Sequence, residues 1–165
     1  MKLTKATLKR LIKEELSVIL NEEGDQEYYE ATDSSTLPDR LSKLARSTDE
    51  DVRIAVATNP NTPEGVLQRL ATDSSEEVKW ELAKNPRLPE SEFIVLARNG
   101  SHRIAAALAS NPSASEKVLS FLAGHQDDGV KEMVSNHPNT PPEVLSRLSN
   151  DASPNVSMNA KYSRY

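Results

Sequence analysis

Apolar and polar positions recur at a fixed interval of 26 residues from Leu37 onward. Residues before proline mark the interval: Asn59-Pro60, Asn85-Pro86, Asn111-Pro112 and His137-Pro138. Three sets of apolar residues, termed columns here, have members that lie 26 residues apart. They are Leu44, Leu70, Leu96, Leu122 and Leu148; Val52, Val78, Ile104, Val130 and Val156; and Leu41, Leu67, Phe93, Leu119 and Leu145. Self-similarity at a fixed period of this size indicates a repeat protein.

Residues 63–88 show what one repeat encodes. Pro63 suits the first position of a helix, and Val66, Leu67 and Leu70 form one apolar stripe on it. A capping pattern at residues 74–77 starts a second helix, which Asn85-Pro86 ends because the residue before proline avoids the α region. Helices of about ten residues are marginal alone in water, so the units must stack. The sequence therefore predicts an all-α solenoid of two-helix repeats over residues 37–165, about four and a half repeats in all. The Asn before each proline is interpreted as a cap at the helix end.

The N-terminal region has a different pattern. Residues 1–21 are basic, and apolar residues at three- and four-residue spacing, Leu8, Ile12 and Ile19 among them, predict one amphipathic helix. Residues 22–36 contain six acidic residues, no basic one and no apolar period, which predicts a flexible acidic linker. The helix has three interpretations: a cap on the first repeat, a docking or oligomerisation helix, or a membrane-surface helix. Docking or oligomerisation is favoured, because the linker separates the helix from the stack.

The repeat consensus is P-x-x-x-L-x-x-L-A followed by V-x-x-x-(V/L)-A-x-N-P. It is carried by "VRIAVATNPNTPEGVLQRLA", "VKWELAKNPRLPE" and "VKEMVSNHPNTPPEVLSRLS". This pattern resembles the leucine-rich repeat variant family over residues 37–158. The resemblance implies a right-handed superhelix, also described as HEAT-like, in which longer α-helices alternate with short, often 3₁₀, helices. It also implies a binding scaffold. An N-terminal iron–sulfur cluster found in that family does not carry over, because it needs cysteines and this chain has none.

Composition excludes several classes of function. Without cysteine there is no disulfide framework, zinc–thiolate site or cysteine-ligated cluster. A net charge of −5 argues against a nucleic-acid binder. No phosphate-cradling glycine loop or catalytic motif is present, and His102 and His125 match no metal spacing. The sequence predicts no enzyme activity and no cofactor.

The best candidates for a binding surface are apolar residues at positions that are polar or small in sister repeats. In the solenoid these are Trp80, Ile94, Val95 and Phe121. The apolar face of the N-terminal helix adds Leu8, Ile12 and Ile19 as a separate set of candidates. They predict a scaffold for a protein partner, and the absence of cysteine fits a cytoplasmic location. The alternative is a virion or prohead-associated protein. Residues 1–23 resemble leaders of large tailed-phage and marine bacterial proteins, and Leu20-Asn21-Glu22 and Ile12-Lys13-Glu14 both fit the cleavage signature that this resemblance implies.

Overall fold

The computed structural model describes residues 12, 15 and 25–163, and none of these residues lies in a β-strand. Each repeat has a first helix, which carries an even number, and a second helix, which carries an odd number. Over the described residues the helices are α1 (described over residues 25–32), α2 (Pro38–Leu44), α3 (Glu50–Thr58), α4 (Glu64–Leu70), α5 (Glu76–Ala83), α6 (Glu90–Asn99), α7 (His102–Ser110), α8 (Glu116–Leu122), α9 (Asp128–Asn136), α10 (Pro142–Leu148) and α11 (Pro154–Tyr162). The all-α solenoid prediction is confirmed.

Two kinds of boundary divide the chain into these helices. From α3 onward, the second helices begin after a Ser or Asp. Ser75 Oγ, for example, accepts hydrogen bonds from the Glu77 and Val78 N–H groups at 3.1 and 3.2 Å. Asn59 and His137 end their helices with extended backbone, at ψ of 128° and 132°, because proline follows. The short first helices are α-helical, and no 3₁₀ helix occurs among the described residues.

The predicted apolar columns form the core. Each member of the Leu44 series is at most 2% exposed, and each member of the Val52 series is completely buried. Second helices of successive units pack directly on one another, α3 on α5, α5 on α7, α7 on α9 and α9 on α11. The columns seen in the sequence are therefore continuous apolar ladders through the stack.

The Asn before each proline does more than cap its own helix. The Asn85 Nδ2 donates to the Ala57 carbonyl of the preceding unit at 2.7 Å, while its Oδ1 accepts from the Arg87 N–H at 2.9 Å. Asn111 repeats this arrangement one unit later, and both side chains are buried. The asparagines are therefore hydrogen-bonded rungs that join successive units.

Two ion pairs also join successive units. Arg53 Nε lies 2.9 Å from Asp73 Oδ2, and Lys131 Nζ lies 2.9 Å from Asp151 Oδ2. The four side chains are between 11% and 17% exposed, so these pairs are largely shielded from water. Burial alone would raise the pKa of Asp73, but hydrogen bonds from Arg53 and the Ser75 N–H hold it below its ordinary value.

The prediction of a flexible linker at residues 22–36 is wrong for the described part, residues 25–36. Residues 25–32 are helical, and Ala31 is completely buried. Asn59 Nδ2 donates to the carbonyls of Ala31 and Asp33 at 2.8 and 2.9 Å. Acidic composition misled the prediction, because one small apolar residue in the right register is enough to dock this short helix.

Helix α1 is the second helix of a further, degenerate repeat. Ala31 lies 26 residues before Ala57, and Thr36 lies 26 before Thr62. Thr36 Oγ1 donates to the carbonyl six residues earlier at 2.5 Å, as Thr62 Oγ1 does at 2.6 Å. Within the described residues the stack therefore has five helix pairs, from α2 and α3 to α10 and α11, preceded by α1 as half a repeat. The predicted number of about four and a half is too low because α11 completes the last unit.

Candidate interaction surface

One outward position of the second helices forms a mostly apolar stripe along the stack. Its members are Tyr28, Ile54, Trp80, Ala106, Glu132 and Met158. Tyr28 is 42% exposed and Met158 is 53% exposed, whereas Ile54, Trp80 and Ala106 are half-buried against the core. The row is apolar without interruption from Tyr28 to Ala106, and outward-facing apolar residues that follow one another on one face indicate a contact surface.

Trp80 is the centre of this stripe and is held by cations. Lys84 Nζ lies 3.4 Å, and Arg103 Cζ 3.7 Å, from the ring centroid of Trp80, both within cation–π range. Each cation also pairs with a carboxylate: Lys84 with Glu81 at 2.7 Å and Arg103 with Glu77 at 2.5 Å. The hydrogen bond from Arg103 holds the pKa of Glu77 below its ordinary value.

A groove of about 550 Å³ opens beside Trp80. It exists because α7 carries Ala106 and Ala107 where the neighbouring helices carry larger side chains, so Trp80 and Met133 form its walls. The lining residues are Trp80, Lys84, His102, Arg103, Ala106, Ala107, Ser110, Asn111, Pro112 and Met133. Beyond Met133, a second depression of about 420 Å³ continues toward Glu132 and His137.

The other predicted residues do not join Trp80. Ile94 and Val95 lie on α6 and Phe121 lies on α8, in the layer of first helices. Ile94 is partly buried against the core, whereas Phe121 is 43% exposed with Arg98 Cζ 5.9 Å from its ring centroid. The candidates therefore lie on two surfaces.

Val95 and Phe121 occupy a repeat position at which an arginine elsewhere in the stack bridges two units. Arg69 and Arg147, in the same repeat position, donate to backbone carbonyls of the preceding unit, at Ala45 and Ser120 respectively. An apolar side chain cannot make that bond, so this position is free for packing in the third and fourth helix pairs.

The N-terminal predictions fall mostly outside the described residues. Ile12 is helical and 49% exposed, while Leu8, Ile19 and the leader signature at residues 20–22 lie outside the described ranges. Docking by this helix, its membrane-surface interpretation and the leader interpretation stay predictions.

Sequence reasoning missed Lys84, Arg103, Ala107 and Met133. Arg103 did carry a signal, since it follows Asp25, Asp51 and Glu77 in a column that is otherwise acidic up to that point. The paired alanines on α7 were a second signal, because small residues between bulky neighbours create a depression. Both signals depend on knowing which position of each helix faces outward.

In the described part of the chain, no cluster of three or more His, Asp or Glu side chains could hold a metal ion. No helix within it has the length and apolar character needed to cross a bilayer.

Residues 50–75 match the sequence model of a family described as leucine rich repeat variant. A solved structure described as "a leucine-rich repeat variant with a novel repetitive protein structural motif" aligns with a TM-score of 0.63 at 23% identity. The fold is that of a leucine-rich repeat variant. The alignment covers 79% of this chain and 52% of the other, so this chain spans about half the length of that leucine-rich repeat variant. No curated protein matches the chain.

Proposed function

We propose that the chain is a non-catalytic protein-interaction scaffold, and that its binding site is the groove between Trp80 and Met133. The observation that carries this proposal is the groove itself, in which an apolar floor at Ala106 and Ala107 lies open to solvent between two large side chains. A half-buried tryptophan beside such a floor has the character of an interface anchor.

The repeat architecture supports the same conclusion. Solenoids hold their surface residues on a rigid, regularly spaced framework, and they bind partners along extended faces. Here the three second helices that form the groove are tied by Asn111, which donates to the Ala83 carbonyl, and by His137, whose Nε2 lies 3.0 Å from the Asn111 carbonyl oxygen. A partner would therefore meet a preformed surface, which lowers the entropy cost of binding.

Affinity capture from native lysate tests the proposal, with the full chain and its Trp80→Ala variant as baits. We expect Trp80→Ala to lose specific partners, because it removes one wall of the groove. Phe121→Ala is the matched control: it also truncates a partly exposed aromatic residue, but in the layer of first helices.

Thermal melts of all three baits establish that they are folded. Retention of every partner by Trp80→Ala would overturn the groove as the site. Loss with Phe121→Ala alone would assign binding to the opposite layer.

A further inference from the structure

We propose that the groove beside Trp80 binds a segment of a partner protein that carries a large apolar side chain flanked by carboxylates. This inference rests on the proposed function and names the chemistry of the partner. It follows from the shape of the floor and from the charges on the rim.

The shape of the groove indicates that it binds a large apolar side chain. The floor consists of the methyl groups of Ala106 and Ala107, and the walls are the indole of Trp80 and the thioether of Met133. Its volume of about 550 Å³ is large enough for a leucine or phenylalanine side chain with its backbone. Met133 is 41% exposed and unbranched, so it can adapt to the side chain that enters.

The charged residues that line the groove indicate that the partner segment carries carboxylates on either side of that apolar side chain. Lys84, His102 and Arg103 line this groove, and no aspartate or glutamate among the described residues does. The first turn of α7 has no acidic residue, unlike those of α3, α5 and α9, so its N-terminal dipole adds to the positive rim.

The existing ion pairs do not prevent this binding. Glu77 and Glu81 are not among the residues that line the groove. Glu77 pairs with Arg103 and Glu81 pairs with Lys84, and both cations lie over the Trp80 ring. Arg103 and Glu77 are 45% and 40% exposed, and exposed pairs of this kind contribute little free energy. Arg103 also has N–H groups enough to bind a second carboxylate beside Glu77.

The test uses Trp80 as its own reporter, because it is the single tryptophan of the chain. The full chain is titrated with a synthetic peptide EELFEE, and with KKLFKK, while tryptophan emission is recorded. We expect a saturable change with EELFEE and affinity for KKLFKK weaker by about tenfold or more. Arg103→Glu should reduce affinity for EELFEE by a similar factor. Arg147→Glu makes the same charge change on α10 and should leave affinity unchanged.

Equal binding of the two peptides, or equal loss in Arg103→Glu and Arg147→Glu, would overturn the acidic chemistry. No emission change with EELFEE would overturn it too, while loss of partners by Trp80→Ala in the capture assay would leave the proposed function standing. Emission that changes with protein concentration alone, accompanied by dimers in sedimentation, would assign the groove to a second copy instead.

Discussion

The asparagine rungs show how one side chain can join two repeats. An amide has both a donor and an acceptor, so Asn85 satisfies a carbonyl in the preceding unit and an N–H in its own turn. His137 fills the same position because Nε2 reaches the Asn111 carbonyl at 3.0 Å and Nδ1 accepts from the Asn139 N–H at 3.1 Å. Its neutral form with the proton on Nε2 fits both bonds. Asp33, in the same register, has only acceptors and cannot extend the rungs further.

Replacing a rung should therefore destabilise the stack. Asn85→Ala leaves the buried Ala57 carbonyl and the Arg87 N–H without these partners, and we expect a loss of about 1–3 kcal/mol in the free energy of unfolding. Chemical denaturation measures it. Asn136→Ala, at an exposed position on α9, should change stability by less than about 0.5 kcal/mol. Equal effects of the two substitutions would contradict the bridging role.

The inter-unit ion pairs predict a dependence of stability on pH. Hydrogen bonds from the Ser153 N–H and from Lys131 hold the pKa of Asp151 below its ordinary value, and the pKa of Asp73 is also lowered. On acidification, these aspartates take up protons at a higher pH in the unfolded chain than in the folded chain. Their stabilisation of the fold is therefore complete above about pH 4 and is lost as the pH falls further. Denaturation at several pH values should show stability decreasing on acidification. Asp73→Asn should flatten that decrease, and an unchanged slope would contradict the assignment.

Helix α6 is where the repeat departs from its consensus. It has 10 residues, whereas the other first helices have 7, and it ends at Gly100. A Cβ on Gly100 would lie 2.6 Å from the Leu96 carbonyl oxygen and 2.9 Å from Ile104 Cβ. The following residue, Ser101, has a buried Oγ without a hydrogen-bond partner in the described part of the chain. This irregular junction leads directly into α7, the helix that forms the floor of the groove.

Two glycine substitutions should have opposite effects. Gly100→Ala is expected to lose about 1–3 kcal/mol, because the carbonyl and the buried Ile104 cannot both give way. Gly65→Ala on α4 meets no atom within 4 Å and should gain about 0.5–1 kcal/mol from the better helix former. Thermal unfolding of both variants checks the pair. Stabilisation by Gly100→Ala would mean that the junction is looser than described.

Over the whole molecule, the solenoid is a one-dimensional stack in which each unit depends on its neighbours. Polar contacts hold the described part of helix α1: Ser47 Oγ donates to Glu27 Oε2 at 3.0 Å, and Arg40 Nε pairs with Glu30 Oε2 at 2.5 Å. Among residues 25–32 only Ala31 is buried, so this helix contributes little apolar burial and should open more readily than the middle of the stack. The groove lies in the middle, between α5 and α9, where units on both sides support it.

Ala31→Asp tests whether residues 25–36 belong to the stack. A buried, unpaired carboxylate costs about 3–5 kcal/mol, more than this end unit is expected to withstand. We expect the amide hydrogens of residues 25–36 to lose protection from exchange, whereas the amide hydrogens of α7 stay protected. Thr32→Asp, at the neighbouring exposed position, should leave the protection pattern unchanged. Rapid exchange of residues 25–36 in the parent chain would restore the linker interpretation.

The apolar columns and Asn-Pro marks were sufficient to predict the helix pairs and the core, because burial at a fixed register leaves a periodic record in the chain. Trp80 also stood out, since it broke its column. The groove around it could not be predicted, because its walls, Trp80 and Met133, are 53 residues apart and meet only when three second helices pack side by side. The same holds for residues 25–36: acidic composition suggested a linker, and only the contacts of Ala31 with the first pair place it in the stack. Periodic burial is encoded locally, whereas a surface shared by several units depends on how they stack.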